Sequence, residues 1–128
     1  MKKLLFPLFM LLAVWSCSTS HKTGSSDRHS SVIIDSTEYE ITIIDNEFDT
    51  WYNLNYSPAK DHTNEYYRAK NLVGVSNWNY YYTKNKYTRV IENYIVFDNS
   101  VDYGLEVNRR LYWYFIFIED KYRIRLFS

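Results

Sequence analysis

Eight consecutive residues near the C-terminus, 111–118, are all apolar or aromatic, and they constrain the fold more than any other feature of the chain. The run is too short to span a bilayer, which takes roughly twenty residues, so we expect the rest of the domain to surround it. Its length and composition suit a buried strand. However, Glu106 and Arg110 before the run have the i, i+4 spacing that stabilises a helix. Glu119 and Arg123 after the run repeat that spacing. We therefore predict one helix of about twenty residues through the run, with a strand as the alternative.

Two other segments have the composition and length of β-strands. Residues 39–44, YEITII, alternate between two faces, with Ile41 and Ile43 on the same one. Residues 94–97, YIVF, are the second candidate and are followed by the turn-forming residues Asp-Asn-Ser. Residues 32–34, VII, form either a further short strand or an apolar patch that docks on the domain.

A short helix is predicted around Trp51. Asp49 or Thr50 can cap its N-terminus. Phe48, Trp51 and Leu54 have the spacing to share one helix face.

A longer helix is predicted from Asn64 to about Thr83, with its N-cap among residues 61–63. Gly74 inside it costs about 1 kcal/mol relative to alanine, which indicates a kink or close packing there. The predicted inward stripe consists of Tyr66, Ala69, Val73, Ser76 and Tyr80. Taken together, these elements predict the α+β class: a small single domain in which two or three helices pack on a short two- to three-stranded sheet.

The N-terminus has the three-part layout of a bacterial export signal. Lys2 and Lys3 supply a positive charge, residues 4–15 are apolar apart from turn-compatible Pro7, and serines flank Cys17. The predicted organisation is a signal peptide over residues 1–16, a flexible tether over 17–38 and a globular domain over 39–128.

Cys17 is the only cysteine, so it cannot form a disulfide within the chain. The stretch Val14-Trp15-Ser16-Cys17 resembles the bacterial lipobox, although Trp15 is bulkier than the residue usual there. The resemblance implies a lipid anchor on Cys17, with an ordinary secretory signal and a free thiol as the alternative. Ser18, and not aspartate, follows the cysteine, and by resemblance to the known sorting rules of lipoproteins this implies that the protein is not retained in the inner membrane. We expect the periplasmic face of an outer membrane, with the cell surface as the alternative.

The charge balance argues against binding to nucleic acid. Without residues 1–16, the chain carries thirteen basic and fifteen acidic residues, a formal charge of −2. Nucleic-acid-binding domains present a clustered positive surface instead. Aromatic residues make up 20% of the chain and include 14 tyrosines. Each ring can remove about 150–250 Å² from water, so a single small domain can build a core from few residues.

Aromatic residues are also the candidates for ligand binding, because the C–H faces of sugars pack on aromatic rings. Three consecutive tyrosines point in three directions on a helix, so at least one of their rings meets solvent or a partner. Trp113, in the most apolar stretch, is expected in the core, and a core role is the alternative for the other rings as well. The candidates for ligand stacking are Trp51, Trp78, Tyr80, Tyr81 and Tyr82.

Asp102 and Glu106 are the candidates for acid–base chemistry, which requires two carboxyl groups in different environments. A simpler interpretation is structural: Asp102 caps the N-terminus of the last helix, and Glu106 is an ion-pair partner. His62 is the only histidine in the predicted domain, and no Ser–His–Asp arrangement stands out. We therefore assign no catalytic residue.

Asp45, Glu47 and Asp49 alternate like the start of a calcium loop. Thr50 stands where that loop needs glycine, and Tyr56 stands where it needs a bidentate glutamate. We expect no metal site and no cofactor.

Three motifs resemble a family of small, uncharacterised lipoproteins of the Bacteroidota, a domain of unknown function. They are Phe48-Asp49-Thr50-Trp51, the central Trp78-Asn79, and the stretch DYGLEVN from Asp102 to Asn108 with the aromatic run after it. The resemblance covers most of residues 39–128. The family has no assigned activity, so the resemblance implies no chemistry.

The expected function is that of a lipid-anchored envelope protein with a non-enzymatic structural or interaction role. Its expected partners are the membrane, through the lipid on Cys17, and an envelope protein or glycan. The alternative is a glycan- or peptide-binding module that uses exposed aromatic residues, and a small hydrolase around Asp102 and Glu106 is a third hypothesis.

Overall fold

The computed structural model describes residues 31–35 and 40–128, and this part of the chain has the predicted α+β class. The predicted signal peptide, Cys17 and most of the predicted tether lie outside the described residues. The elements in chain order are β1 (Ser31–Asp35), β2 (Glu40–Ile44), α1 (Phe48–Asn55), a 3₁₀ turn (Pro58–Lys60), α2 (Asn64–Thr83) and α3 (Leu105–Tyr122).

The two strands form an antiparallel pair in which Val32 lies opposite Ile43 and Ile34 lies opposite Ile41. Val32 and Ile34 are buried, so the alternation directs one face of the pair to the core. The prediction of β2 is confirmed. Of the two interpretations of residues 32–34, the strand is correct. Residues 31–35 are thus part of the domain, although they fall inside the range predicted as tether.

Helix α3 confirms the helical interpretation of residues 111–118 and lies at the centre of the domain. It packs against α2, α1 and β2. All eight residues of the run except Ile116 are buried. A helix enclosed by neighbours on several sides needs apolar residues around most of its circumference, which explains why the run lacks a polar face.

The ends of α3 differ from the prediction. The N-cap is Gly104, at φ 88°, and not Asp102. Asp102 lies two residues earlier, where its Oδ1 accepts a hydrogen bond from the Gly104 N–H at 3.0 Å. At the other end, Glu119 Oε1 accepts the backbone N–H groups of Leu126 (2.7 Å) and Phe127 (2.9 Å). Glu119 thus holds the C-terminal tail on α3 instead of forming the predicted pair with the arginine at 123.

Helix α2 has the predicted bounds, and Thr63 is its N-cap, accepting the Tyr66 N–H at 3.2 Å. The predicted inward stripe is wrong: Tyr66, Ala69, Val73, Ser76 and Tyr80 are exposed. The buried residues are Tyr67, Asn71, Gly74, Val75 and Trp78.

Gly74 explains part of this orientation. A Cβ atom at Gly74 would lie 2.5 Å from Cδ2 of Phe115 on α3, which is closer than side chains approach. The predicted close packing at this glycine is therefore confirmed. Asn71 adds a hydrogen bond from its Nδ2 to the carbonyl oxygen of Asn108, at 2.8 Å.

Residues 84–104 return along α2, and the strand predicted over residues 94–97 is absent from the described part of the chain. The backbone of Ile95 pairs with a side chain instead: its N–H donates to Asn79 Oδ1 at 2.7 Å, and its carbonyl accepts from Asn79 Nδ2 at 2.8 Å. Asn93 makes the same two bonds with the backbone of Val32, at 3.2 and 2.7 Å. The Asn79 amide thus takes the place of a neighbouring strand at Ile95, and the Asn93 amide joins this segment to β1.

Helix α1 forms where it was predicted, but its capping and its inward face differ. Its N-cap is Glu47, with no side-chain hydrogen bond to the helix. Asp49 is the second helical residue and bonds Arg110 Nη2 of α3 at 2.5 Å. Phe48 is buried, whereas Leu54 is 80% exposed and does not share the inward face.

Candidate functional site

The five predicted stacking residues do not form one surface. Trp78 is fully buried between the rings of Tyr114 and Phe115, and its indole N–H donates to the carbonyl of Asn93 at 2.7 Å. It is a core residue that holds residues 84–104 on α2. Trp78 is therefore not available for a ligand.

Trp51 belongs to a separate cluster on α1, which packs on α3. Its ring lies 5.5 Å from that of Phe117 and 6.2 Å from that of Trp113. Its indole N–H donates to Asp120 Oδ2 at 3.1 Å. Half-buried and hydrogen-bonded, Trp51 fastens α1 to α3.

The consecutive tyrosines at the end of α2 face three directions, as predicted. Tyr80 is 55% exposed and Tyr82 is 40% exposed. Tyr81, the residue between them in the chain, is half-buried, and its hydroxyl donates to the carbonyl of Arg125 at 2.8 Å. Two of the three rings are thus open to a partner.

Two further tyrosines, which the sequence analysis missed, join this end of the domain. Tyr87 packs edge-on against Tyr81 at 5.1 Å, and Tyr94 packs against Tyr82 at 6.3 Å. They are 44% and 56% exposed. Asn85 and Tyr87 both have positive φ angles, 53° and 55°, which turn the chain back after α2. The rings form two groups, one of Tyr80, Tyr81 and Tyr87 and one of Tyr82 and Tyr94. We call this end of the domain, with both groups, the tyrosine end.

Two lysines give the tyrosine end positive charge. Lys84 Nζ lies 5.9 Å from the centre of the Tyr80 ring. Lys86 Nζ lies 5.8 Å from the Tyr81 ring and 5.9 Å from the Tyr87 ring. An ammonium group above an aromatic face is attracted by the ring quadrupole. The surface therefore offers ring faces and cationic donors together.

An open hollow of about 300 Å³ adjoins the tyrosine end. Its lining combines one ring, an amide, a hydroxyl, an aliphatic side chain and a carboxyl group. These residues are Tyr82, Asn85, Thr88, Ile91 and Glu92. The arrangement can stack a ring and hydrogen-bond to polar groups around it, which is how proteins bind sugars and peptides.

The proposed acid–base residue Asp102 is occupied by hydrogen bonds. Asn64 Nδ2 lies 3.1 Å from both of its carboxylate oxygens, and Asn108 Nδ2 lies 3.4 Å from Oδ1. The Gly104 N–H and then Asn64 lower the pKa of the carboxyl group from its usual value. A carboxylate held in its ionised form by these donors connects α2 to α3 and is a poor proton donor.

Glu106 is exposed and lines a separate open hollow of about 490 Å³ between β2 and the start of α3. Glu40, Tyr103 and Arg110 line the same hollow. The structure therefore does not bring the two carboxyl groups of the hydrolase hypothesis to a shared cleft with a base and a nucleophile.

Among the carboxyl groups of the described residues, Asp61 has the pKa that is lowered most. From the sequence it was predicted only as a possible N-cap of α2. Arg109 binds it through two hydrogen bonds, from Nε to Oδ1 at 3.0 Å and from Nη2 to Oδ2 at 2.7 Å. The Tyr67 hydroxyl donates to Oδ1 at 2.5 Å, as does the His62 N–H at 3.0 Å. The Arg109 hydrogen bonds, opposed by burial and assisted by Tyr67, lower the pKa of Asp61 to about 2. Such a group carries no proton near neutral pH.

The acidic residues that resemble a calcium loop are also engaged in other contacts. Asp45 Oδ1 accepts the Glu47 N–H at 2.9 Å, Glu47 pairs with Lys121, and Asp49 pairs with Arg110. Within residues 31–35 and 40–128, no three His, Cys, Asp or Glu side chains lie close enough to hold a metal ion.

Of the helices in the described part of the chain, none combines the length and the apolar character that a membrane span requires.

The fold and surface define a class: a small α+β domain with α3 at its centre and a tyrosine-rich, lysine-bearing end. The chain belongs to the family of unknown function DUF6146, whose family model matches residues 4–128. No curated protein and no solved structure matches the chain.

Proposed function

We propose that the protein is a lipid-anchored component of the bacterial cell envelope with a non-enzymatic structural or interaction role. The anchor is a lipid on Cys17. The proposed place is the periplasmic face of an outer membrane, with the cell surface as the alternative.

The lipid anchor is supported by the order of the first residues. Lys2 and Lys3 precede a twelve-residue apolar run, and the chain's only cysteine follows that run after one serine. Each buried methylene of an acyl chain contributes about 0.8 kcal/mol, and a stable anchor takes more than one chain. A diacylglycerol on Cys17 meets that requirement.

The non-enzymatic role is supported by the hydrogen bonds that hold the two carboxylates most suited to acid–base chemistry. Asp61 is bound by Arg109 and Tyr67, and Asp102 by Asn64 and Gly104. The observation that carries an interaction role is the tyrosine end, where four rings are at least 40% exposed. Tyrosine is enriched at binding surfaces because its ring buries apolar area while its hydroxyl forms hydrogen bonds.

Labelling with a fatty-acid analogue tests the anchor. The full chain, expressed in a bacterium of the envelope type that makes lipoproteins, should carry the label and fractionate with membranes. Cys17→Ala should lose both properties. A matched control, Cys17→Ala with Ser26→Cys, moves the thiol nine residues along the chain and should also remain unlabelled. An unlabelled wild-type chain refutes the anchor.

The tyrosine end also favours a second candidate function, glycan or peptide binding. The hollow provides hydrogen-bonding groups beside the exposed ring of Tyr82, and Tyr94 packs against that ring. The two lysines lie over the neighbouring rings of Tyr80, Tyr81 and Tyr87. An envelope protein also meets glycans constantly.

Titration with N-acetylglucosamine oligomers, followed by amide chemical shifts, tests glycan binding. We expect shifts at Tyr82 and Tyr94. Replacing either ring by alanine should weaken binding about fivefold, because a stacked ring contributes about 1 kcal/mol. Tyr66→Ala serves as a control at the other end of α2. Shifts spread evenly over the domain would exclude this candidate.

A further inference from the structure

Helix α2 has a second apolar face that points away from the domain. We call it the outer face, and its residues are Ala69, Leu72, Val73, Ser76 and Tyr80. Leu72 is 45% exposed, Val73 is 44% exposed and Tyr80 is 55% exposed. A surface helix normally turns charged residues to solvent. Along these turns of α2, which the structure describes in full, the outer face has no charged side chain.

The rest of the described chain borders the outer face without covering it. Residues 93–99 run along one side of α2, where Arg68 bonds the carbonyl of Asn99. The C-terminal tail runs along the other side, where Asn77 Nδ2 donates to the carbonyl of Leu126 at 2.6 Å. Between these borders lies a strip one helix wide.

The ends of the strip carry opposite charges. Glu65 stands in the first turn of α2, and Lys84 follows its last turn. They are 19 positions apart in the chain, which is about 28 Å at 1.5 Å per helical residue. In an antiparallel pair of α2 helices, Glu65 of each copy lies beside Lys84 of the other. A parallel pair would place like charges together at both ends, which is unfavourable.

The same antiparallel register matches side chains by size. When position 65 lies opposite position 84, Ala69 lies opposite Tyr80 and Val73 lies opposite Ser76, so in both pairs a large side chain faces a small one; Leu72 lies opposite Asn77 at the border of the face. Side chains that differ in size interdigitate when helices pack closely. The face is thus complementary to itself in charge and in shape.

We infer that the outer face of α2 binds a second copy of this chain, with the two α2 helices antiparallel. A strip about 28 Å long and about 10 Å wide buries less than the roughly 1,200 Å² of a standard interface. The dimer is therefore a weak one, with a dissociation constant of about a few micromolar. This inference does not rest on the proposed function, since it uses neither the lipid nor the hollow beside Tyr82; Tyr80 and Lys84 are shared with the tyrosine end.

Disulfide trapping of the full-length chain in a mild detergent tests the geometry. All variants carry Cys17→Ser, so that introduced cysteines are the only thiols. Ser76→Cys lies near the two-fold axis and should form a cross-linked dimer on oxidation. Glu65→Cys and Lys84→Cys should each remain monomeric, whereas the double variant should cross-link. Leu54→Cys, which is exposed on α1, should remain monomeric.

A charge exchange tests the energetics. Glu65→Lys and Lys84→Glu should each weaken dimerisation by about tenfold, measured by sedimentation of the same full-length chain. The double variant should recover wild-type affinity, because the pairing is reversed but kept. Circular dichroism confirms that each exposed substitution leaves the fold intact.

Each contrary result overturns the inference. Cross-linking of Glu65→Cys with its own copy indicates a parallel pair. Cross-linking of Leu54→Cys to the same extent as Ser76→Cys indicates unspecific association in the micelle. A chain that stays monomeric up to 500 µM, a ceiling about a hundredfold above the expected range, shows that the face is occupied by some other molecule or by none.

Discussion

Protonation of Asp61 should weaken the hydrogen bonds that hold the start of α2 on α3. The Asp61 carboxylate accepts hydrogen bonds from Arg109 of α3 and from Tyr67 of α2. Its pKa is lowered from 3.8 to about 2 in the folded protein, chiefly by the bonds from Arg109. The unfolded chain therefore binds a proton at a higher pH than the folded chain does.

The sign and size of the effect follow from this difference. Stabilisation by the Asp61 carboxylate is fully present above the unfolded pKa of 3.8 and is lost as the pH falls through about 2. One pKa unit corresponds to about 1.4 kcal/mol. The side chain of Asp61 is 25% exposed, so solvent reduces the value, and we expect a contribution of about 2 kcal/mol.

Asp61→Asn should therefore lower the free energy of unfolding by about 2 kcal/mol at pH 7. The difference from wild type should shrink as the pH is lowered to about 2, because wild-type Asp61 is then becoming neutral too. Urea unfolding, followed by tryptophan fluorescence at several pH values, measures both quantities. Glu106→Gln, at an exposed carboxyl group of α3, should change stability by no more than about 0.5 kcal/mol. A difference between Asp61→Asn and wild type that is the same at pH 7 and at pH 2.5 would refute the reasoning.

Three further substitutions test the packing. Gly74→Ala should destabilise the domain by about 2 kcal/mol, because its Cβ would lie 2.5 Å from Phe115 Cδ2; thermal unfolding that shows a gain in stability, as helix propensity alone predicts, would contradict this. Asn79→Ala should cost about 2 kcal/mol and speed hydrogen exchange at the Ile95 amide, which loses its bond to Asn79 Oδ1, while the exposed Asn53→Ala should have neither effect. Glu119→Gln should weaken the charged acceptor of the Leu126 and Phe127 N–H groups and cost about 1 kcal/mol, and unchanged amide exchange at both residues would count against that role.

Features that depend on neighbouring residues in the chain were predictable. Thr63 caps α2 because its hydroxyl reaches the Tyr66 N–H three residues later. The helical state of residues 111–118 was predicted from the spacing of Glu106 with Arg110 and of Glu119 with Arg123, although in the structure Arg110 pairs with Asp49 and Glu119 binds the tail. These signals lie within single segments, so they do not depend on which segments later pack together.

The inward face of α2 was not predictable in this way, because the helix has apolar residues on two faces. The more obvious stripe, with Val73 and Tyr80, is the exposed one. The buried stripe includes Asn71 and Gly74, which do not look like core residues. Their burial depends on Asn108 and Phe115, more than thirty residues away in the chain. Periodicity locates the stripes but does not say which one meets α3.

The tyrosine end shows why a surface can be missed even when three of its five tyrosines are identified from the sequence. Trp78 and Asn79 both turn to residues 93–95 and hold that segment through its backbone. This anchoring brings Tyr94 to within 6.3 Å of the Tyr82 ring. Trp78 and Asn79 therefore position the Tyr94 ring without being part of the exposed surface themselves. The two residues and the ring that they position lie about fifteen residues apart in the chain. Loss of the Asn79 amide should consequently separate Tyr94 from Tyr82 and lower the affinity for any ligand that binds between these rings. Asn79 need not touch the ligand itself.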